Sequence, residues 1–385
     1  MLHLDNANQK FFENKKILIT GHTGFKGYWL SMALHRLGAQ LHGVSLPPQP
    51  NKPHPCLDIF KSTSEGGIFE SNQYANITDV FLFESILDRV KPDIIFHLAA
   101  QPLVLTSYED PYDTFTTNIV GTLNLLEHLR LFNQKNPSHK IVLINVTTDK
   151  CYRNDEKASG YVETDPLGGS DPYSASKSAV EIMASSYAKS FFKQKTVSIV
   201  NVRAGNVIGG GDFAKDRIIP DCVRAIQANE NIHLRNPNAI RPWQHVLDVV
   251  NGYLKVAQMA WFDDLNGEAF NFGPKKEMIH HWSVLAIVQF FMDYFKTHTY
   301  LQSSANITYD IQQPNGGDTK ETNLLLLSSE KAKERLDWEN LLPTSLALGM
   351  TADWYQHYLF KKSSVRDMFD LTMQQIELFF DIDSL

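Results

Sequence analysis

The chain has 385 residues, of which 43% are hydrophobic and 21% charged, a composition typical of a globular protein that excludes a disordered chain. The formal net charge of −7 argues against nucleic acid or an anionic membrane surface as the main partner. The three cysteines, Cys56, Cys151 and Cys222, lie far apart in the sequence, which excludes a zinc site or disulfide framework built from neighbouring cysteines. Because residues 1–16 lack an apolar signal core and no apolar run is long enough to span a bilayer, we expect a cytoplasmic protein.

Short apolar runs alternate with longer segments of helical periodicity over the first two hundred residues. Strands are predicted at residues 16–20, 40–45, 92–100, 140–147 and 196–202. Helices are predicted between them at residues 26–37, 79–90, 114–131 and 174–192, with Asp79 as an N-cap. This alternation, with almost continuously apolar strands, predicts an α/β fold: a doubly wound, Rossmann-type parallel sheet with helices on both faces.

The alternation weakens after Val202. Loops rich in glycine, proline and asparagine, at residues 205–212 and 236–242, separate predicted helices at residues 220–228 and 282–295. We therefore predict a smaller, loop-rich C-terminal substrate lobe at the carboxyl ends of the strands. The predicted boundaries are 11–203 for the first domain, with a returning segment near 243–273, then 204–242 and 274–360 for the lobe, and 361–385 for a helical tail.

A glycine-rich turn lies between the first predicted strand and the first predicted helix. Gly21, Gly24 and Gly27 follow the spacing G-x-x-G-x-x-G, and side chains there would keep a pyrophosphate from the helix N-terminus. The pattern predicts a dinucleotide site, with an ordinary glycine turn as the alternative. No acidic residue ends the second strand at Ser45 to bind an adenosine ribose, and Lys26 would favour a phosphate, so the choice between NAD and NADP stays open.

Tyr173 and Lys177 lie at the start of the fourth predicted helix. Residues four apart share one helix face, and a lysine cation near a phenol lowers the pKa of that phenol. Tyr173 is therefore a candidate base for a sugar or alcohol hydroxyl, with Lys177 as its partner. The spacing Y-x-x-x-K is common by chance, and an unremarkable surface pair is the alternative.

A predicted buried strand is followed directly by Thr148, Asp149 and Lys150. Side chains at the carboxyl ends of parallel strands point into the ligand crevice, so Thr148 is predicted to hydrogen-bond the hydroxyl that Tyr173 deprotonates. Asp149 and Lys150 add an acid and a base on the same loop, although an exposed polar turn is the alternative for Lys150. Cys151 is interpreted as a packing residue rather than a nucleophile because no histidine lies near it in sequence.

Several cations fall after the last predicted strand of the sheet. Arg203, Lys215, Arg217 and Arg241 are candidates for binding a diphosphate, which suits the arginine fork. Each one alone is better explained as a surface charge or an ion pair, but together they predict a second, substrate-side diphosphate site. His97, inside an apolar run, is interpreted as a buried structural histidine. The acidic residues show no metal-ligand spacing, so we predict no metal site.

These motifs resemble the extended short-chain dehydrogenase/reductase family, which combines a glycine turn, a threonine at a strand end and a later Y-x-x-x-K. Longer strings, spread over residues 11–358, are similar to those of the CDP-glucose 4,6-dehydratases within that family. The strings are TGHTGFKG (20–27), HLAAQP (97–102), TDKCY (148–152), DPYS (171–174), RAGNVIGGGD (203–212), KDR (215–217), IRPWQHV (240–246) and NFGP (271–274).

The resemblance implies loss of water from CDP-glucose with NAD recycled in each turnover. The product would be CDP-4-keto-6-deoxyglucose, a precursor of deoxysugars in surface polysaccharides. Tyr173, aided by Thr148 and Lys177, would take the C4 hydroxyl proton, and Asp149 would protonate the departing C6 hydroxyl. Lys150, which the CDP-glucose enzymes share, is interpreted as the base for the C5 proton. The first domain would then bind the dinucleotide, and the C-terminal lobe the nucleotide sugar.

The resemblance also implies contact residues and an oligomeric state. The implied cofactor contacts are Gly21, His22, Gly24, Phe25, Lys26, Gly27, Asn76, Ile77, Leu98, Ala99, Ala100, Tyr173 and Lys177. The implied substrate contacts are Gln101, Asn206, Lys215, Arg217, Arg235, Arg241 and His245. The family commonly forms homodimers through a four-helix bundle, and the predicted helices at 114–131 and 174–192 match its elements.

Other functions share part of this pattern. A nucleotide-sugar 4-epimerase would use Thr148, Tyr173 and Lys177 but would not need Asp149 as an acid. An ordinary dehydrogenase would release reduced cofactor in each turnover. A non-enzymatic dinucleotide-binding regulator would tolerate the loss of Tyr173 or Lys177, and the chain has both.

Overall fold

A parallel sheet of seven strands forms the centre of the molecule. The computed structural model describes residues 10–48, 60, 66–192, 196–234, 236–275, 282–298, 309–311, 324–361 and 363–383. In chain order the strands are β1 (Lys16–Thr20), β2 (Gln40–Ser45), β3 (Ser71–Tyr74), β4 (Ile94–His97), β5 (Ile141–Val146), β6 (Val197–Ala204), β7 (Val207–Ile208), β8 (Ile232–Leu234), β9 (Gln244–His245), β10 (Ala269–Phe272) and β11 (Tyr309–Ile311). The order in the main sheet is β10-β6-β5-β4-β1-β2-β3, and each neighbouring pair is parallel.

Helices cover both faces of this sheet, which confirms the predicted doubly wound fold. They are α1 (Phe25–Arg36), α2 (Leu82–Val90), α3 (Val104–Glu109), α4 (Pro111–Phe115), α5 (Gly121–Lys135), α6 (Pro172–Phe191), α7 (Ile218–Ala228), α8 (Val246–Phe262), α9 (Val284–His298), α10 (Glu330–Leu336), α11 (Thr344–Phe360) and α12 (Val365–Asp383). Alternate strand residues point to opposite faces, so Ile17 packs in the core formed with α1 and α8, and Leu18 packs in the core formed with α2, α5 and α6.

The central strands are apolar because both of their faces are buried. All six residues of β5 and all eight of β6 are buried, a pattern typical of parallel strands between two helix layers. Two strands of the sheet were not predicted. The edge strand β3 reads SNQY and offers no apolar run, and β10 follows a helix that the sequence pattern did not reveal.

Two predicted helices differ from the structure at their boundaries. The helix predicted at 79–90 begins at Leu82, and the Asp79 carboxylate instead accepts a hydrogen bond from the Phe81 amide before the helix. The helix predicted at 114–131 is a longer segment that joins α4 to α5 through a π-helical turn (Thr116–Val120). Pro111 at the first position and the Asp110 carboxylate, which accepts from the Asp113 amide, define where this segment starts.

The remaining elements form the second lobe beside the carboxyl ends of the strands. It contains two short parallel ladders, β7–β9 and β8–β11, together with α7 and α9–α11. Between them the chain returns to the sheet, since α8 packs against β5 and β6 and β10 pairs with β6. The domain boundaries stated above stay a prediction. The prolines and polar residues at 47–65 predict a surface loop, and most of that segment lies outside the described residues, as does Arg235.

The C-terminal helix α12 joins the two lobes. The Thr372 hydroxyl lies 2.8 Å from the Tyr28 hydroxyl on α1 and accepts a hydrogen bond from the Trp354 indole on α11, with the two heavy atoms 3.0 Å apart. Met368, Ile376 and other apolar residues of α12 are buried in the same core. The predicted helical tail is thus a packed element that contacts both the first helix of the sheet domain and the second lobe.

Thr372→Val should lower the free energy of unfolding by about 1–3 kcal/mol, because the buried Tyr28 hydroxyl and Trp354 indole lose a shared partner. Urea denaturation followed by tryptophan fluorescence measures the change. Thr351→Val is the matched control, since Thr351 is equally buried and its hydroxyl donates to Ala347 O in its own helix. Equal losses for both variants would contradict a bridging role for Thr372.

Candidate active site

The ligand crevice lies at the carboxyl ends of β1 and β4. The strand order reverses between these two strands, and open α/β sheets bind ligands at that point. Thr20 at the end of β1 pairs with His97 at the end of β4, and the chain segments that follow both strands border the crevice. Most of the predicted site residues belong to these segments and to the neighbouring ends of β5 and β6.

The glycine turn has the geometry of a phosphate cradle. Gly21 has a φ of 74°, and a Cβ there would lie 2.8 Å from the Ala99 nitrogen; a Cβ on Gly27 would lie 2.2 Å from Gly21 O. Gly24 precedes α1 and has no side chain to cap it, so the first amides of the helix are open to an anion. The turn therefore fits the diphosphate of a dinucleotide.

Three side chains of the glycine turn, those of His22, Phe25 and Lys26, were predicted to contact the cofactor. The His22 ring is completely buried and packs 4.8 Å from the Phe69 ring, next to Gly43, so it supports the turn from behind. Lys26 lies among the candidate catalytic groups. Burial, followed by the positive charge of Arg217, lowers the pKa of Lys26 to about 7. Phe25 extends toward the second lobe at Gly209.

The remaining predicted cofactor contacts follow β3 and β4. Leu98, Ala99 and Ala100 continue from β4, and the Ala99 amide donates to the Thr20 hydroxyl at 3.2 Å. Asn76 and Ile77 follow β3 at the same edge of the sheet; Asn76 is exposed and Ile77 is buried against Gly121. The cofactor contacts of these five residues stay a prediction.

Tyr173 and Lys177 occupy the first two turns of α6, where the Asp171 carboxylate caps the helix by accepting from the Ser174 amide. Both side chains are buried. Burial raises the pKa of Tyr173 to about 12, although a hydrogen bond with Thr148 acts in the opposite direction. This rise is opposite to the lowering that we expected from Lys177. The Lys177 ammonium donates to Val146 O at 3.2 Å, and burial lowers its pKa to about 8.

Thr148 and Asp149 are buried in a 3₁₀ turn after β5, whereas the Lys150 side chain is 36% exposed. We call residues 148–151 the acid–base loop. The Thr148 hydroxyl donates to Asp149 Oδ1 at 3.0 Å, and Lys150 Nζ lies 3.5 Å from the same oxygen. Asp149 Oδ2 has no hydrogen-bond partner among the described residues. A cation and a carboxylate with one free oxygen therefore stand beside Thr148.

Cys151 and His97 behave as interpreted from the sequence. Burial raises the pKa of the Cys151 thiol well above its usual value, which makes the thiol a poor nucleophile. His97 is bracketed by the hydroxyls of Thr20 and Thr122, at 2.8 and 3.0 Å from its two ring nitrogens. Burial lowers the pKa of His97 to about 3, so its ring is a neutral structural group.

The sequence analysis missed Asn118, which lies in the π-helical turn. Its amide donates to Gln101 O at 3.1 Å and to the Ser176 hydroxyl at 2.9 Å, and its oxygen accepts from the Gln101 amide nitrogen at 2.8 Å. Asn118 therefore ties the segment after β4 to the first turn of α6. The one available signal was a polar asparagine inside the helix predicted at 114–131. The Gln101 side chain donates to Leu103 O and to the Thr114 hydroxyl on α4 and accepts from the Leu103 amide, and its predicted substrate contact stays a prediction.

The predicted diphosphate cations separate into two groups. Arg217 forms an ion pair with Asp212 at 2.8 Å and interacts electrostatically with Tyr173 and Lys26, so it faces the crevice. Arg241 is half-buried, Lys215 is exposed, and Asn206 has a buried oxygen without a hydrogen-bond partner among the described residues. The substrate contacts predicted for these three residues stay a prediction.

His245 and Arg203 do not belong to that group. His245 is completely buried, caps α8 by accepting from the Leu247 amide, and has a pKa lowered to about 3 by burial, so it carries no positive charge for a diphosphate. Arg203 points from β6 toward α6 and pairs with Glu181. Both corrections arise because a motif identifies a residue type but not the direction of its side chain.

Residues 18–345 match the protein-family model described as GDP-mannose 4,6 dehydratase. The chain belongs to this dehydratase family. It is 38% identical over 361 residues to the CDP-glucose 4,6-dehydratase of Salmonella typhimurium, covering 91% of this chain and 93% of the relative. The resemblance drawn from the motifs is thereby confirmed.

Solved structures of related enzymes share the fold of this dehydratase-family member. The UDP-glucose 4-epimerase of Thermotoga maritima aligns with a TM-score of 0.70 at 21% identity, covering 89% of this chain and 99% of the epimerase. The dTDP-glucose 4,6-dehydratase of Bacillus anthracis, determined in complex with NAD, aligns with a TM-score of 0.68 at 21% identity, covering 90% and 98%. Within the part of the chain that the structure describes, no helix is long and apolar enough to cross a membrane.

Proposed function

We propose that the protein is a CDP-glucose 4,6-dehydratase that makes CDP-4-keto-6-deoxyglucose for deoxysugar and surface-polysaccharide biosynthesis. The observation that carries the proposal is the Asp149–Lys150 pair beside Thr148, because an elimination needs an acid and a base in addition to the groups that oxidise an alcohol. The 38% identity to a CDP-glucose 4,6-dehydratase over almost the whole chain supports the same nucleotide sugar.

NAD is the proposed cofactor, and the residues of the crevice fit it. The glycine turn and the open amides of α1 would hold its diphosphate, and Tyr173 and Lys177 would lie at its nicotinamide end. Bound there, NAD would accept the C4 hydride of the sugar and return it to C6. The dTDP-glucose 4,6-dehydratase of Bacillus anthracis, determined with NAD, supports the choice of cofactor.

Oxidation at C4 requires Tyr173 to take the proton of the C4 hydroxyl. Burial keeps the Tyr173 phenol neutral in this structure, with a pKa of about 12. Positive charge near the phenol favours the phenolate, and Lys177, one turn further along α6, would supply it together with the oxidised nicotinamide. The Thr148 hydroxyl would hold the C4 oxygen. The resulting ketone makes the neighbouring C5 proton acidic.

Elimination requires Asp149 and Lys150 to share one proton. Lys150 Nζ and Asp149 Oδ1 lie 3.5 Å apart, and the proposal requires Lys150 to be neutral and Asp149 to be protonated once C4 is oxidised. Neutral Lys150 would then take the C5 proton while Asp149 gives its proton to the C6 hydroxyl, which leaves as water. Lys150 would return a proton to C5 as hydride reaches C6, and the proton held by Tyr173 would restore Asp149.

Incubation with CDP-, UDP-, GDP- and dTDP-glucose tests the proposal. Mass spectrometry should detect a product lighter by one water, formed faster from CDP-glucose than from the other three sugars. Absence of water loss from all four would reject the dehydratase activity, whereas faster reaction of another nucleotide would reject only the cytidine assignment.

Arg241→Ala should weaken the binding of CDP at least about tenfold and leave NAD binding unchanged, since a charge-assisted hydrogen bond to phosphate contributes about 1.5–3 kcal/mol. Arg241 is half-buried and lies in the segment that precedes β9. Calorimetry with CDP and with NAD measures both affinities. Arg335→Ala is the control, because Arg335 on α10 pairs with Glu268 and has no predicted substrate contact; it should leave CDP affinity unchanged. Unchanged CDP affinity of the Arg241 variant would remove Arg241 from the site.

Lys150→Met should abolish exchange of the C5 proton with solvent and leave C4 oxidation in place. The variant removes the proposed base but keeps the buried Asp149 and Thr148. Wild-type enzyme in heavy water should give product with deuterium at C5. Lys150→Met should still reduce bound NAD in a single turnover. Exchange at a near-normal rate in the variant would show that another group is the C5 base.

A homodimer is also proposed, with α4–α6 as its interface. Exposed apolar side chains lie on the two helical segments that the family resemblance assigns to a four-helix bundle: Tyr112, Phe115, Leu123, Ile182 and Phe191. A partner chain would cover this apolar surface, which a monomer would leave in water.

A cytoplasmic location is proposed together with the dehydratase function.

A further inference from the structure

A buried ion pair lies behind the acid–base loop. Glu181 on α6 and Arg203 on β6 have side chains that are only 1% and 4% exposed. Arg203 donates from Nε to Glu181 Oε1 at 2.8 Å and from Nη2 to Glu181 Oε2, which makes the ion pair bidentate. The desolvation of two charges offsets most of their attraction, so a buried ion pair of this kind adds little net stability to the fold. Stabilisation alone is therefore a poor explanation for the pair.

The pair contacts the residues on both sides of the acid–base loop. The Thr147 hydroxyl, directly before the loop, donates to Glu181 Oε1. Arg203 donates to the Tyr152 hydroxyl, directly after the loop, and its guanidinium carbon lies 4.7 Å from the centre of the Tyr152 ring. The two ends of the acid–base loop are therefore attached to a single pair of charges.

The same pair is attached to the helix that carries the oxidising groups. Tyr173, Lys177 and Glu181 follow one another at intervals of four residues, so they share one face of α6. Tyr173 and Lys177 reach the crevice, and Glu181, one turn further, reaches the strand and the loop. The pair thus connects the groups proposed for oxidation with the groups proposed for elimination.

We infer that Glu181 and Arg203 are positioning residues that fix the acid–base loop relative to Tyr173 and Lys177. The inference rests on the proposed 4,6-dehydratase function and deepens it. Oxidation at C4 uses Tyr173 and Lys177 on α6 and takes only Thr148 from the loop. Elimination depends on where the loop holds both Asp149 and Lys150. Loss of the pair should therefore slow elimination more than oxidation.

The double variant Glu181→Leu/Arg203→Met tests the inference without leaving an unpaired buried charge. We expect an intact fold by circular dichroism and thermal unfolding. In a single turnover with CDP-glucose, the rate of reduction of bound NAD should fall less than about tenfold. The rate of water loss should fall about 10²-fold, because a displacement of catalytic groups by about 1 Å costs that much. Reduced nicotinamide should therefore accumulate before any product appears. The control Glu268→Leu/Lys331→Met removes a half-buried pair from the same sheet edge and should behave as wild type.

Thr147→Val is the second variant. It removes the hydrogen bond from the residue before the loop to Glu181, together with a longer one to Val202 O at 3.2 Å, and leaves the ion pair in place. It should shift the balance of the two steps in the same direction by a smaller factor. Wild-type rates in both variants, or equal losses of oxidation and elimination, would overturn the positioning role. Absence of water loss in the wild-type enzyme would instead reject the proposed function.

Discussion

The Asp149→Asn variant is expected to reduce bound NAD on mixing with CDP-glucose. Loss of water from the sugar should be ~10²–10⁴-fold slower than in the wild type, because general-acid catalysis usually contributes a factor of that size. An amide cannot give a proton to the departing C6 oxygen. The substitution preserves size at a position that is 1% exposed, and the Thr148 hydroxyl can still donate to the remaining side-chain oxygen. Stopped-flow absorbance of the nicotinamide and mass spectrometry of the sugar measure the two steps separately.

The control for this variant is Asp165→Asn. Asp165 pairs with Lys157 on the segment that follows the acid–base loop and has no part in the proposed elimination. The Asp165→Asn variant should reduce bound NAD and release water at rates near those of the wild type. Dehydration by Asp149→Asn at the wild-type rate would assign the acid to another group.

Tyr173→Phe is expected to lose C4 oxidation itself, by ~10²–10⁴-fold, because it removes the base that takes the hydroxyl proton. Neither reduced nicotinamide nor dehydrated product should then form at an appreciable rate. Because the phenol is buried and neutral in this structure, binding of CDP-glucose and of NAD should change little. Single-turnover absorbance and calorimetry check the two halves of this expectation.

Tyr253→Phe is the matched control for Tyr173→Phe. The Tyr253 hydroxyl is fully buried on α8 and has no hydrogen-bond partner among the described residues, so its removal breaks no described bond. Activity and stability should both persist. Retention of C4 oxidation by Tyr173→Phe would mean that another group is the base.

Two strands near the centre of the sheet could be predicted almost to the residue. β1 was predicted at its observed bounds and β5 within one residue at each end, because a strand buried on both faces leaves a continuous apolar run. β4 was predicted at 92–100 and spans only Ile94–His97, because the apolar run continues past the strand. β3 left no such signal, since it is an edge strand of polar residues. The π-helical turn had no local signal either, because the spacing of its backbone hydrogen bonds differs from that of an α-helix by a single residue.

The acid–base loop was predicted as a site because it follows a buried strand, and the structure does bring it beside Tyr173. The directions of individual side chains were not predictable. Arg203 and His245 lie in strings typical of nucleotide-sugar enzymes, yet the pleat of β6 turns Arg203 toward α6, and His245 is buried as a helix cap. The rise in the pKa of Tyr173 depends on burial, which local sequence does not reveal.

Turnover of CDP-glucose carrying deuterium at C4 tests the central claim most directly. The account predicts a product that has lost one water and carries the deuterium at C6, because hydride leaves C4 and returns within the same active site. A product that retains every atom and is inverted at C4 would contradict it in favour of a 4-epimerase. Deuterium found in released reduced nicotinamide would contradict it in favour of an ordinary dehydrogenase.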